Sequence, residues 1–398
     1  MPMFEFATAQ RIIFGRGVFD QLAGLTAEYG RRVFLVAGQH ALAPGGPVEQ
    51  LTAKAGALDL ELTVQPVSGE PDAPTVNAAA ERAHSVNANV VVGLGGGAAL
   101  DTAKAVAGLL TNGGPILDYM EVVGKGLPLK QPAAPFLAVP TTAGTGSEVT
   151  RNATIIDPIT HFKASVRSPS LLARVVLVDP LLTLGLPPGP TASTGMDALT
   201  QLIEAYVSRR ANPLTDAIVM GALSRGARAL PRAWDDPNDI AAREDMCFAS
   251  LCSGLALANA GLGAVHGFAS PLGGNFPVPH GVACARLLPP VMAANVAALR
   301  AMPPDAPAGA STAGDTLARY SQVGRAVADG GDDAIEAGIA WARNEVARLR
   351  IPGLRQYGMT EADVPEMVRQ AQGASSMKGN PVTLDEATLT EVLRQALD

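Results

Sequence analysis

The stretch Thr194-Gly195-Met196-Asp197-Ala198-Leu199-Thr200-Gln201-Leu202-Ile203-Glu204-Ala205-Tyr206 sets an Asp and a Gln four residues apart among apolar neighbours. On a helix that spacing sends both side chains from one face, a turn apart, so two oxygen donors point into one hollow. Val265-His266-Gly267 and Pro279-His280-Gly281 supply two of the chain's five histidines. A carboxylate, an amide oxygen and two imidazoles make a cup for a divalent cation, and Asp197, Gln201, His266 and His280 are the candidate ligands. The plainer reading of the Asp/Gln pair alone is a helix cap beside a solvated amide. The two histidines weigh against it, as does a second motif upstream.

That motif is Gly95-Gly96-Gly97-Ala98-Ala99-Leu100-Asp101-Thr102-Ala103-Lys104, which joins an apolar strand to a helix predicted to run to about Leu110. Glycines at a strand-to-helix turn let the backbone approach a ligand, and the helix start offers free N–H groups and a positive dipole end, which suits a pyrophosphate. The spacing differs from the common G-x-G-x-x-G fingerprint, and a tight structural turn is the alternative. Thr141-Thr142-Ala143-Gly144-Thr145-Gly146-Ser147-Glu148-Val149-Thr150 is dense in hydroxyls and glycine. Such a loop can hydrogen-bond phosphate, ribose or a nicotinamide amide.

These motifs need a scaffold. Residues 32–38 and 89–94 are continuous apolar runs with β-branched residues, the pattern of strands buried on both faces. Further strands are predicted at 11–17, 58–67, 136–140 and 175–180, a hairpin at 154–166 turning at 158–160, and helices at 18–29, 48–57 and 75–86. Strand and helix alternate, which predicts a parallel sheet covered by helices. Beyond Leu186-Pro187-Pro188-Gly189-Pro190 the spacing becomes helical at 192–208, 213–230, 238–262, 280–298, 313–326, 333–348, 361–372 and 385–397. The prediction is therefore two domains, residues 1–188 and 189–398.

At 398 residues the chain is long enough for both. A net charge of −7 with few basic runs excludes nucleic acid as an expected partner, because phosphate binding needs clustered Lys and Arg. Cys247, Cys252 and Cys284 are too few and too oddly spaced for a disulfide framework or thiolate site, and read as core residues in a reducing compartment. The first residues show no basic-then-apolar signal pattern, and no charge-free apolar stretch reaches about 18 residues. The expectation is a cytoplasmic protein without a membrane partner.

In order along nearly the whole chain, several motifs resemble the iron-containing (group III) alcohol dehydrogenase family. They are Gly95-Gly96-Gly97 through Asp101 and Lys104, Pro140-Thr141-Thr142-Ala143-Gly144-Thr145-Gly146-Ser147-Glu148, Asp179-Pro180, Gly195-Met196-Asp197-Ala198-Leu199-Thr200, His266, and Pro279-His280-Gly281. The resemblance implies a dehydroquinate synthase-like architecture. Its parts are a Rossmann-like α/β nucleotide-binding domain, an all-α domain that binds metal and substrate, a cleft between them, and often a homodimer. It implies hydride transfer between NAD(P)H and a small alcohol/aldehyde or ketone pair, assisted by a metal such as Fe or Zn. Family members hold that metal with one Asp and three His, and Asp197, His266 and His280 match three of these. Gln201 stands in place of the fourth, and Ser270 in place of a further active-site His one turn after His266.

Gln is a weaker, harder donor than imidazole, so metal affinity should fall or selectivity shift. With the second His absent, Ser270 or water is left beside His266 and His280 to carry the proton. Gly38 replaces the acidic residue that NAD-preferring members can carry at the end of the second strand, so NADP is allowed beside NAD. The resemblance also places Gly95, Gly96, Gly97 and Asp101 at the cofactor, with Thr141, Thr142, Thr145 and Ser147 on its nicotinamide or ribose side. Lys163 would reach a cofactor hydroxyl and Asp72 would lie near the adenosine end.

Two alternatives share this architecture. In a metal-independent reductase resembling maleylacetate reductases, His266 and His280 would hydrogen-bond substrate. A lyase resembling dehydroquinate synthases would need a basic lining, yet the motif loops carry only Lys104 and Lys163.

Overall fold

Val33 to Ala37 and Val90 to Gly95 are buried at every position, as continuous apolar strands in the middle of a parallel sheet must be. In the computed structural model, which describes residues 3–328 and 333–398, the chain divides into two compact units. One is residues 7–184; the other is residues 185–398 with the segment up to Phe6.

The first unit carries six parallel strands: β1 (Arg11–Phe14), β2 (Arg32–Gly38), β3 (Glu61–Val67), β4 (Val90–Gly95), β5 (Phe136–Pro140) and β8 (Val175–Val178). Their order is β1-β8-β5-β4-β2-β3. On one face α1 (Leu22–Ala27) and α2 (Pro47–Ala55) bury Leu22, Leu25 and Leu51 against Leu35, Val92, Leu137 and Leu177. The predicted helix 18–29 is in fact a 3₁₀ turn, Val18–Gln21, followed by α1. Also in this unit are α3 (Ala73–Ser85) and α4 (Gly97–Asn112). Leu100 and Ala103 of α4 come so near Gly93 that any side chain there would press on them. The predicted hairpin forms as β6 (Asn152–Asp157) and β7 (Phe162–Arg167), its turn held by Asp157, whose carboxylate accepts from Ile159 N, Thr160 N and Thr160 Oγ1.

Strand β3 lies on one side of β2 and β4 on the other, so the winding reverses between β2 and β4. The crevice at the carboxyl ends of two such strands is where open α/β sheets bind ligands. Gly38 and Gly95 end those two strands.

The second unit is helical: α5 (Pro188–Val207), α6 (Pro213–Asp235), α7 (Ile240–Ala260), α8 (Ala264–Asn275), α9 (His280–Arg300), α10 (Ala313–Val327), α11 (Ala334–Arg348), α12 (Val364–Gly373) and α13 (Glu386–Gln395), with a short pair β9 (Pro307–Ala308) and β10 (Ser311–Thr312). Helix α5 starts inside the proline-rich connector, because Pro188 fits a first helical turn, where no N–H partner is needed. Helix α8 was absent from the sequence-based prediction. Gly263, Gly267, Gly273 and Gly274, with Pro271 inside the helix, disguise it. Among the described residues α9 alone is long and apolar enough by composition to cross a membrane, but 72% of that window is buried inside the protein, as in a core helix.

Candidate active site

Four side chains of the helical unit converge: Asp197 from α5, His266 from α8, and His280 and Cys284 from α9. Their potential ligand atoms all lie within 4.8 Å of one another. Asp197 Oδ1 is 3.2 Å from His266 Nε2 and 3.7 Å from His280 Nε2. Cys284 Sγ is 3.6 Å from His266 Nε2 and 3.7 Å from His280 Nε2.

Glycine lets these helices close up. A Cβ on Gly281 would stand 2.1 Å from the backbone oxygen of Ser193, so the first turn of α9, which begins with His280, is seated against α5. A Cβ on Gly263 would press on Glu204 Oε1 and Asn380 Oδ1 at 2.9 Å each. Those two oxygens accept from the first N–H groups of α8: Val265 N to Glu204 (2.7 Å) and Ala264 N to Asn380 (3.1 Å). They cap α8 without a local N-cap side chain.

Glu204 does a second job. Its Oε2 is 2.6 Å from His266 Nδ1, which turns Nε2 of the same ring toward Asp197. A carboxylate on the far nitrogen of a ligating histidine fixes the ring and raises its basicity. Burial opposes a charge on His266, but the Cys284 sulfur and the Glu204 and Asp197 carboxylates around it prevail and raise its pKa well above the usual histidine value. Burial likewise works to raise Asp197, but His280 and His266 outweigh it and hold the carboxyl below its ordinary range. Burial pushes the Cys284 thiol up to about 12. Carboxylate, two imidazoles and a sulfur, brought together with all but His280 buried, fit a divalent cation of the zinc or iron type.

Of the predicted ligands, Asp197, His266 and His280 come together. The Gln201 amide oxygen instead lies 2.7 Å from Ser253 Oγ, a hydroxyl on α7. Ser270 lies one turn beyond His266 on α8 and is half-buried. Sequence reasoning missed Glu204; it read Cys284 as a core residue, which its full burial bears out, but did not place it beside the two histidines. The signal for Cys284 was its place four residues after His280, one turn along the same helix. Glu204 is 62 residues from His266 and had no such local cue.

In the α/β unit the two predicted loops touch. A Cβ on Gly97 would stand 2.8 Å from Thr145 Cγ2, one on Gly96 would stand 3.3 Å from Thr142 Oγ1, and one on Gly95 would stand 3.0 Å from Gly38 N. Gly96 precedes α4 in an extended conformation and gives it no side-chain cap, leaving the first N–H groups of the helix to an anion. Thr141 N bonds Gly95 O (3.0 Å), which joins the loops through their backbones.

Asp101 and Lys104 hold this arrangement from behind. Asp101 accepts from Ser147 Oγ (2.5 Å) and Thr154 N (3.0 Å), and fully buried Lys104 donates to Asp101, Ser147 O, Thr150 Oγ1 and Asn152 O. Burial pushes the Glu148 carboxyl up to about 7, against its backbone hydrogen bond and the Lys104 ammonium. Asp72 caps α3 by accepting from Thr75 N (2.8 Å), and the Lys163 ammonium lies 2.9 Å from Glu70 Oε2.

Fold and site together define a two-part dehydrogenase, with a nucleotide-type crevice on a parallel sheet and a metal-type cluster on a helical unit. Residues 9–180 match the model "Iron-containing alcohol dehydrogenase" and residues 191–397 match "Fe-containing alcohol dehydrogenase family, C-terminal". The chain belongs to the iron-containing alcohol dehydrogenase family.

It is 35% identical to the 1,3-propanediol dehydrogenase of Citrobacter freundii, over 95% of this chain and 99% of that protein. It is 38% identical to the probable alcohol dehydrogenase EutG of Salmonella typhimurium, over 84% of this chain and 80% of the relative. A crystal structure of a 1,3-propanediol oxidoreductase superposes with a TM-score of 0.88 at 31% identity, covering 99% of this chain and all of the other. The family expected from the order of motifs, and the pairing of a parallel-sheet unit with a helical one, are those found. The protein is an oxidoreductase that interconverts an alcohol and an aldehyde with a nicotinamide cofactor.

Proposed function

We propose that the protein oxidises small neutral alcohols or diols and reduces the matching aldehydes. It would use either NAD(H) or NADP(H), with a divalent cation held by Asp197, His266 and His280. The observation that carries this is the convergence of those three side chains from three helices, with Asp197 Oδ1 3.2 Å and 3.7 Å from the two imidazole nitrogens. The propanediol dehydrogenases among its relatives support the substrate class, and a sulfoacetaldehyde reductase solved with NAD+, at a TM-score of 0.84 and 27% identity, supports the cofactor.

When bound, such a cation supplies Lewis acidity, lowering the pKa of an alcohol hydroxyl or polarising a carbonyl. The protein's own groups do the rest. The N–H groups at the start of α4 and the glycine backbone hold the pyrophosphate, and Thr141, Thr142, Thr145 and Ser147 offer hydroxyls along the cofactor. Glu204 keeps His266 in one tautomer and orientation. The Ser270 hydroxyl relays the alcohol proton toward solvent. Gly38 offers no carboxylate to repel a 2′-phosphate, so both dinucleotides are accepted.

The test is to follow reduced nicotinamide by absorbance with 1,3-propanediol and either NAD+ or NADP+, before and after exhaustive chelation. Turnover that disappears on chelation and returns with a divalent metal is expected. Undiminished turnover in protein shown to be metal-free would favour the metal-independent reductase instead.

A further inference from the structure

The donor set around Asp197 includes a sulfur. Cys284 is fully buried, one turn after His280 on α9, and its Sγ lies 3.6 Å and 3.7 Å from the two imidazole Nε2 atoms. Those separations can be compared with what a metal would impose. With metal–sulfur bonds of about 2.3 Å and metal–nitrogen bonds of about 2.0–2.1 Å, a tetrahedral angle puts a ligating sulfur and nitrogen about 3.5 Å apart, and a nitrogen and carboxylate oxygen about 3.3 Å apart. The edges found are 3.6 and 3.7 Å for sulfur to nitrogen, and 3.2 and 3.7 Å for oxygen to nitrogen. Four of the six edges thus match those of one coordination polyhedron, and the other two are no longer than 4.8 Å.

The amide expected at this site is engaged elsewhere. Gln201 Oε1 accepts from Ser253 Oγ at 2.7 Å, and both side chains are buried, so Gln201 is tied to α7. A neutral amide oxygen is also a poorer donor than a thiolate for borderline and soft ions.

We propose that Cys284 is a metal ligand, completing an Asp197–His266–His280–Cys284 set with Gln201 outside it, and that this set selects zinc over iron. Thiolate with imidazole is a donor combination of zinc sites, whereas carboxylate and further imidazoles suit iron equally well. A catalytic zinc can expand to five-coordinate, so four protein donors still admit a substrate oxygen. This inference rests on the reading that the cluster binds a metal at all, and the experiment separates the two.

Cobalt(II) stands in for zinc because its d–d spectrum reports coordination and its near-ultraviolet charge-transfer band reports a thiolate ligand. Metal-stripped wild-type protein is titrated with Co2+, alongside Cys284→Ser and Gln201→Ala, each checked for folding by circular dichroism. The expected result is d–d bands together with a charge-transfer band in wild type and Gln201→Ala. In Cys284→Ser the charge-transfer band is lost, and zinc affinity falls at least about tenfold. Cobalt uptake without the charge-transfer band in wild type overturns the thiolate ligand but leaves the metal site standing. So does a spectrum that changes only in Gln201→Ala. No cobalt uptake by wild type overturns the metal reading itself, and this inference with it. Zinc and iron offered together to the stripped protein complete the test: preferential zinc retention is expected, and preferential iron retention overturns the selectivity.

Discussion

Glu204 Oε2 lies 2.6 Å from His266 Nδ1, while Asp197, two turns earlier on the same helix, lies 3.2 Å from Nε2 of the same ring. One imidazole is thus clamped between two carboxylates of α5. The same Glu204 caps α8 through Val265 N, so the orientation of His266 and the placement of its helix depend on one side chain.

Glu204→Gln keeps the size and one hydrogen bond but removes the charge. Losing a carboxylate behind a ligating histidine weakens metal binding by about 10–100-fold. Competition for zinc against a chromophoric chelator measures this. An unchanged dissociation constant would reduce Glu204 to a helix cap.

Gly281→Ala places a methyl 2.1 Å from the Ser193 backbone oxygen, a contact that neither backbone can absorb without moving. The first turn of α9 must shift, carrying His280 and Cys284 away from Asp197. A loss of about 1–3 kcal/mol in stability is expected, as for overpacking elsewhere, together with a substoichiometric metal content. Denaturant unfolding and elemental analysis read the two effects.

Much of the molecule was legible in its sequence because the cues were local. The runs 33–38 and 90–94, apolar at every position, announce central strands, and Gly95-Gly96-Gly97 sits where one of them turns into a helix. Asp197, His266 and His280 were recoverable from residue type and motif order. Helix α8 was not, because glycines and Pro271 look like breakers until tertiary packing overrides propensity. The contact between Glu204 and His266, and that between Gln201 and Ser253, join residues 62 and 52 positions apart, and no periodicity encodes such pairs. Lys104 and Asp101 were placed correctly on the helix after the glycine turn. Only their hydrogen bonds to Ser147, Thr150, Asn152 and Thr154 show that they brace the loop.

At the carboxyl end of β2, Gly38 has room for a side chain: a Cβ there would meet Gly95 Cα at an ordinary 3.5 Å. Gly38→Asp therefore installs a negative charge with no clash at its Cβ. It should raise the KM for NADP+ by about tenfold or more through like-charge repulsion, with little change for NAD+. Steady-state kinetics with both cofactors decide the matter; equal effects on the two would place the adenosine ribose elsewhere.

Glu148 predicts a pH dependence of stability. Folded, it holds its proton up to about 7; unfolded, it releases it near 4.5. The folded state therefore binds more protons between those values, so this group's contribution to stability falls as pH rises from about 4.5 to about 7 and is level above that. Glu148→Gln removes that decline and should be the more stable protein above pH 7, by up to about 3 kcal/mol. Urea unfolding of both proteins across that range tests it. Parallel pH profiles would mean that the buried carboxyl is compensated in the fold.

The central claim is that a metal bound by Asp197, His266 and His280 serves the alcohol chemistry. The most direct measurement is an anomalous-difference map at the metal's absorption edge, from crystals of protein whose activity has been confirmed. The account predicts one strong peak within bonding distance of Asp197 Oδ1 and the Nε2 atoms of His266 and His280. A fully active preparation whose crystals show no anomalous peak there would contradict it.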